Sequence, residues 1–195
     1  MENEEETSIR DRLRALAAAG HPEPAGGAAA FIEANLELLG SLDPELRDSL
    51  FYEAAAEWIG RGLVGPAAME ALAARLLSRD FLFFGLGEAE GDRVFRRSFS
   101  ALILDCLLKR TMAAGGLSPE AVSAIADSMG DYATRERDLR GFVPGKGWAH
   151  APAHAADVLA SLAAATTTDE AGCERVLEAT RRFLLAGKTV FAHQE

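Results

Sequence analysis

Helix-start signatures recur along this chain, and they constrain its fold more than any other feature. Asp43-Pro44-Glu45 sets a capping carboxylate, a proline at the first helical position and an early acid on the positive end of the dipole. Ser118-Pro119-Glu120 repeats that grammar, and Gly65-Pro66 opens another helix. Thr167-Thr168-Asp169-Glu170 places a glutamate three residues after a threonine, the pattern of a capping box. Asp92 is positioned to cap the helix that follows Gly91. Alternating strand patterns are nearly absent.

These marks predict eight helices, near 7–19, 27–39, 44–61, 66–78, 92–113, 119–138, 148–165 and 168–186. Gly40, Gly60, Gly62, Gly115, Gly116 and Gly187 stand where helices should stop. The short links between them favour antiparallel neighbours. Two helices are apolar on more than one side. In the helix near 44–61, Leu50, Ala54 and Trp58 form one row, and Phe51, Ala55 and Ile59 the next. The helix after Asp92 carries Phe95, Phe99, Leu102, Ile103 and Cys106, with Leu104 and Leu108 round its side. Such helices need covering by several neighbours, so Trp58 and Phe99 should be buried. The expected class is all-α: stacked antiparallel helix hairpins, HEAT-like or α-α superhelical, with a compact irregular bundle as the competing arrangement. A chain of 195 residues suits one such domain over 1–195, with 1–40 as a looser N-terminal helix pair.

Charge narrows the partners. A net charge of −10 disfavours nucleic acid and anionic membranes. Between Arg93 and Lys146, however, nine basic residues face six acidic ones. A basic middle in an acidic protein suits a small anionic molecule or an acidic peptide, although surface ion pairs would give the same balance. No apolar run reaches the ~20 residues that span a bilayer, and the acidic start is unlike an export signal. Cys106 and Cys173 lie inside helical patterns as small buried thiols of a reducing compartment. The expected location is the cytoplasm.

Polar residues gather between Arg93 and Asp157. On a helix, His150, His154, Asp157 and Ser161 fall at i, i+4, i+7 and i+11, on one stripe. Pro152 fits only the first turn, which sets His150 at the helix start, where the dipole favours neutral imidazole. Two histidines and a carboxylate at this spacing can supply ligands to zinc or another divalent ion. Glu136, Asp138, His193 and Glu195 are the candidates for a further ligand. The plainer reading has the histidines hydrogen-bonded to buried backbone. Arg93, Arg97 and Ser100 make a second polar stripe that can hold an anion at a helix start, unless Arg97 is paired with a carboxylate such as Asp138 or Asp157. The glycine-rich loop Arg140-Gly141-Phe142-Val143-Pro144-Gly145-Lys146-Gly147 should return the next helix antiparallel to the one ending near Asp138. The candidate ligand-binding set is therefore Arg97, Arg137, Asp138, Arg140, Lys146, Trp148, His150, His154 and Asp157. No nucleophile elbow, phosphate loop or dinucleotide fingerprint is present, and Gly85-Leu86-Gly87 is followed by acids without a lysine.

The stretches Phe95-Arg96-Arg97-Ser98-Phe99-Ser100-Ala101-Leu102, Glu136-Arg137-Asp138-Leu139-Arg140-Gly141-Phe142-Val143 and Lys146-Gly147-Trp148-Ala149-His150, with His154 and Asp157, resemble a bacterial family known as domain of unknown function 2785. The resemblance runs roughly from Leu46 to the C-terminus. It implies a helical, HEAT-like fold and no stated activity. Pro152 departs from the ordinary helix former found between the two histidines, and the resemblance implies a further acidic-and-arginine helix after Glu195. Two functions follow as expectations: a helical binding protein with a central polar cleft, or a metal-dependent enzyme using His150, His154 and Asp157.

Overall fold

The computed structural model describes residues 4–165 and 170–185. Eight helices carry the fold: α1 (Glu4–Ala18), α2 (Ala28–Asn35, continued by a 3-10 turn Leu36–Gly40), α3 (π-helical Glu45–Tyr52, then α-helical Glu53–Gly60), α4 (Pro66–Leu76), α5 (Arg93–Ala114), α6 (Pro119–Arg135), α7 (Ala151–Ala165) and α8 (Glu170–Leu185). The class is all-α. A two-residue antiparallel ladder, β1 (Phe142–Val143) with β2 (Gly147–Trp148), is the one sheet among the described residues. No described helix is long and apolar enough to cross a membrane.

Local chemistry explains the helix starts. Asp43 Oδ1 accepts the backbone N–H of Glu45 (2.8 Å) and of Leu46 (3.3 Å), and Ser118 Oγ accepts that of Ala121 (3.2 Å). Asp92 occupies the capping position of α5 but makes no capping bond. Its carboxylate is taken instead by Lys146 Nζ, at 2.6 and 2.8 Å. The capping box at Thr167 and the stop at Gly187 lie outside the described residues.

α5 is the central element. Its residues from Val94 to Leu108 are almost all buried, and α7, α3, α4 and the 3-10 turn pack around it. Trp58 and Phe99 are buried, at 0% and 1% exposure. Trp58 Nε1 donates to the carbonyls of His21 and Pro22, and Phe31 meets its ring edge-on, so the N-terminal pair is tied to α3. Among the described residues the main core runs from Leu13 to Phe183, and Val94, Phe95, Ala149 and Ala151 form a second buried cluster.

Two expectations are corrected. α6 ends at Arg135, three residues early, and α7 begins at Ala151, three residues late. Furthermore, α7 packs chiefly on α5, while α6 packs chiefly on α8. The cause is the extended stretch 136–150. Side chains of other elements pin it down, and α7 leaves it to pack on α5 while keeping a smaller contact with α6.

Candidate functional site

The pins consume most of the expected anion-binding groups. Arg97 is fully buried and grips Glu136 with two parallel bonds, Nε to Oε2 at 2.7 Å and Nη2 to Oε1 at 2.9 Å. Its Nη1 donates to the carbonyls of Phe84 and Gly85. Glu136 Oε1 also accepts the backbone N–H of Arg137 and of Asp138. This pair is therefore satisfied on both sides and structural, and the partner of Arg97 is Glu136, not Asp138 or Asp157. Asp138 is buried and holds Arg140, whose Nη2 reaches the carbonyl of Gly91 at 2.8 Å. Lys146 is bound to Asp92, and Arg93 to Glu88. Ser100 returns its hydroxyl to the carbonyl of Arg96. Arg137 is exposed, with no ion pair among the described residues.

Three of the remaining predicted residues, Trp148, His150 and His154, form a ladder of rings with Phe142 and Phe99, which the sequence reading had not placed in the site. Phe142 and Trp148, on the paired strands, meet edge to face at 5.1 Å between centroids. Trp148 lies 4.3 Å from the ring of His150, His150 5.8 Å from that of His154, and His154 5.2 Å from Phe99. Beyond Phe99 stands Arg47, its guanidinium carbon 4.8 Å from that ring and 4.3 Å from Phe95. The ladder starts at the surface, with Phe142 49% and Trp148 37% exposed, and ends on a guanidinium with no exposure at all.

Arg47 is what the sequence reading missed. Its Nη1 donates to the carbonyl of Ser41 (2.7 Å) and its Nη2 to that of Lys146 (2.8 Å), while Nε is buried without a partner. Asp43 and Asp48 act on it through space, yet among the described residues no carboxylate stands within ion-pair distance. Burial pulls its pKa down to about 10. A signal existed: Arg47, Phe51, Ala54 and Trp58 fall at i, i+4, i+7 and i+11, so an arginine sits on an apolar stripe.

Three backbone irregularities lie at the same place. The π-helical opening of α3 brings Arg47 and Tyr52, five apart, to one face. His150 has φ +47, a left-handed conformation costly for a side chain of its size, and its carbonyl accepts the first N–H of α7 from His154 (2.9 Å). His150 thus precedes the helix, while His154, Asp157 and Ser161 lie on it. Gly147 has φ +79, and a Cβ there would stand 2.7 Å from Pro44 and 3.2 Å from Arg47 Nη2. Rare conformations of this kind persist where the surrounding structure enforces them, and they cluster at functional sites.

The electrostatics follow from burial. Desolvation, aided by His150 and Arg47, lowers the pKa of His154 to about 4, against a hydrogen bond to the Ser98 backbone. Its Nδ1 is buried without a partner. Asp48 is raised by desolvation, with Arg47 and His150 pulling the other way. Asp157 is raised by desolvation and by Asp105, whose own oxygens hold Ser161 and Lys109. Burial pushes the Cys106 thiol up to about 11, which leaves it inert. Among the described residues no three histidine, cysteine or acidic side chains are gathered to hold a metal ion. His193 and Glu195 lie outside those residues.

No curated protein and no solved structure matches the chain. A family described as a protein of unknown function, DUF2785, matches residues 82–195. That span takes in α5, the paired strands, α7 and all five ladder rings, and it begins after Arg47. The chain belongs to the DUF2785 family of proteins of unknown function.

Proposed function

We propose that this protein is a binding protein that takes a small anionic ligand at the inner end of the ring ladder, beside Arg47. One observation carries the reading. Among the described residues two arginines are completely buried, and only one is neutralised there: Arg97 has Glu136, whereas Arg47 has two carbonyls and two phenyl faces. An uncompensated buried charge costs several kcal/mol, and a bound anion offsets that cost. Fold alone argues for no reaction.

Thermal denaturation in sodium phosphate, sulfate, acetate, succinate and benzoate, from a chloride-poor buffer, tests it. At least one anion should raise Tm in a saturable way, and Arg47→Lys should remove the saturable part. A Tm indifferent to every one of these salts would overturn the proposal.

A further inference from the structure

The most exposed large apolar side chains among the described residues stand together on one helix. Leu177, Leu184 and Leu185 of α8 are 68%, 67% and 68% exposed. Single exposed leucines are ordinary, but three on one side of a 16-residue helix make a patch. The neighbouring helix is as bare of charge. α7 carries one acidic residue, Asp157, and no lysine or arginine, and its other outward positions from Ala156 to Ala164 are alanine. A helix face turned to water ordinarily carries charged and polar residues. Between the two helices runs a groove of about 340 Å³, lined by Ala156, Ala160 and Ala163 of α7 and by Val176, Thr180 and Leu184 of α8.

We infer that this face is the interface of a symmetric homodimer, in which α7 and α8 of one copy pack on α7 and α8 of a second copy, with the two α8 helices antiparallel. Shape and charge both select a second copy over another apolar partner. Protruding leucines and a hollow that can receive them lie side by side on the same face, so a two-fold axis seats each copy's leucines in the other copy's groove. On α8, Glu178 is shared by Arg181, at 2.8 and 3.0 Å, and by Arg182, at 2.8 Å, which leaves the C-terminal half of the helix one positive charge in surplus. Glu174, in the other half, is exposed and has no ion pair among the described residues. Glu174 and Arg181 are two helical turns apart and lie on one line with Leu177 between them. An antiparallel copy reverses that line, so Glu174 of each copy comes opposite Arg181 of the other and the two Leu177 side chains meet near the axis. A parallel copy would set glutamate against glutamate and arginine against arginine.

The size of the face sets the strength of the pairing. Sixteen residues at about 1.5 Å each make α8 ~24 Å long, and two helices abreast are ~20 Å wide. Each copy then buries on the order of 500 Å², and the pair ~1,000 Å², the lower limit for specific association. The dimer is accordingly reversible.

Sedimentation velocity of the full chain over a range of concentrations tests the inference. A reversible monomer–dimer equilibrium is expected. Leu177→Asp should weaken the dimer about tenfold or more, while the circular dichroism spectrum and the Tm at low concentration stay unchanged, because the side chain is exposed in the single copy. Glu174→Arg and Arg181→Glu should each weaken the dimer, and the double variant should recover most of the lost affinity. A full chain that stays monomeric at the highest concentration reached would overturn the homodimer and leave the face to a different protein. A monomer that turns into a dimer on Phe191→Asp would also overturn it, by giving the groove to the chain's own C-terminal segment. A dimer indifferent to Leu177→Asp would place the interface elsewhere. Losses from Glu174→Arg and Arg181→Glu that add in the double variant would overturn the antiparallel arrangement.

Discussion

The buried arginines Arg47 and Arg97 make opposite predictions. Arg97 is bidentate to Glu136 with both groups fully enclosed. Removing one partner leaves the other charged and buried, so Glu136→Gln should cost ~3–5 kcal/mol in chemical denaturation. Replacing both by apolar residues of similar size should cost much less. Arg47 has no such partner, so Arg47→Met should cost less than Glu136→Gln in the empty protein. His154 gives a pH dependence. Its pKa near 4 in the fold lies below the ~6.5 of an unfolded histidine. Between those values the unfolded chain binds a proton that the native ring refuses, so stability is full above pH 6.5 and falls as pH drops toward 4. The loss by pH 4 is on the order of 3 kcal/mol. His154→Gln should flatten that part of the curve, measured by urea unfolding at several pH values.

At the scale of elements, the paired strands depend on a glycine. Gly147→Ala would place a methyl group against Pro44 in a left-handed backbone position. The expected cost is about 1–3 kcal/mol, with Trp148 emission shifting toward that of a freely solvated indole. The elements also show what a sequence can and cannot disclose. Helix starts at Pro44, Pro66 and Pro119 were readable because caps are local chemistry, satisfied within a few residues. The end of α6 and the start of α7 were not. No residue near Glu136 breaks a helix; the turn comes from Arg97, 39 positions away, drawing the carboxylate inward. Trp148, His150 and His154 could be grouped because one segment holds all three. Arg47 and Asp48 could not be added to them, because the contact to Lys146 spans 99 positions. The π-helical opening of α3 adds to this, since spacing arguments assume turns of 3.6 residues.

Across the whole molecule, α5 is buried along most of its length, and α3, α4 and the 3-10 turn supply part of that cover from before residue 82. Residues 82–195 produced alone should therefore fail to fold, seen as loss of a cooperative thermal transition and aggregation on gel filtration. Trp58→Ala probes the same cover and should cost ~3–5 kcal/mol, since the indole fills the core and ties α3 to residues 21 and 22. The contact of Gly147 with Pro44 and Arg47 extends beyond this one sequence. Position 147 lies within the span that the family shares, and positions 44 and 47 lie before it. A relative that carries a side chain at the position of Gly147 has to make room on the other partner, so in an alignment of relatives the three positions should change together. The boundary drawn by similarity would then cut through a unit that evolves as one.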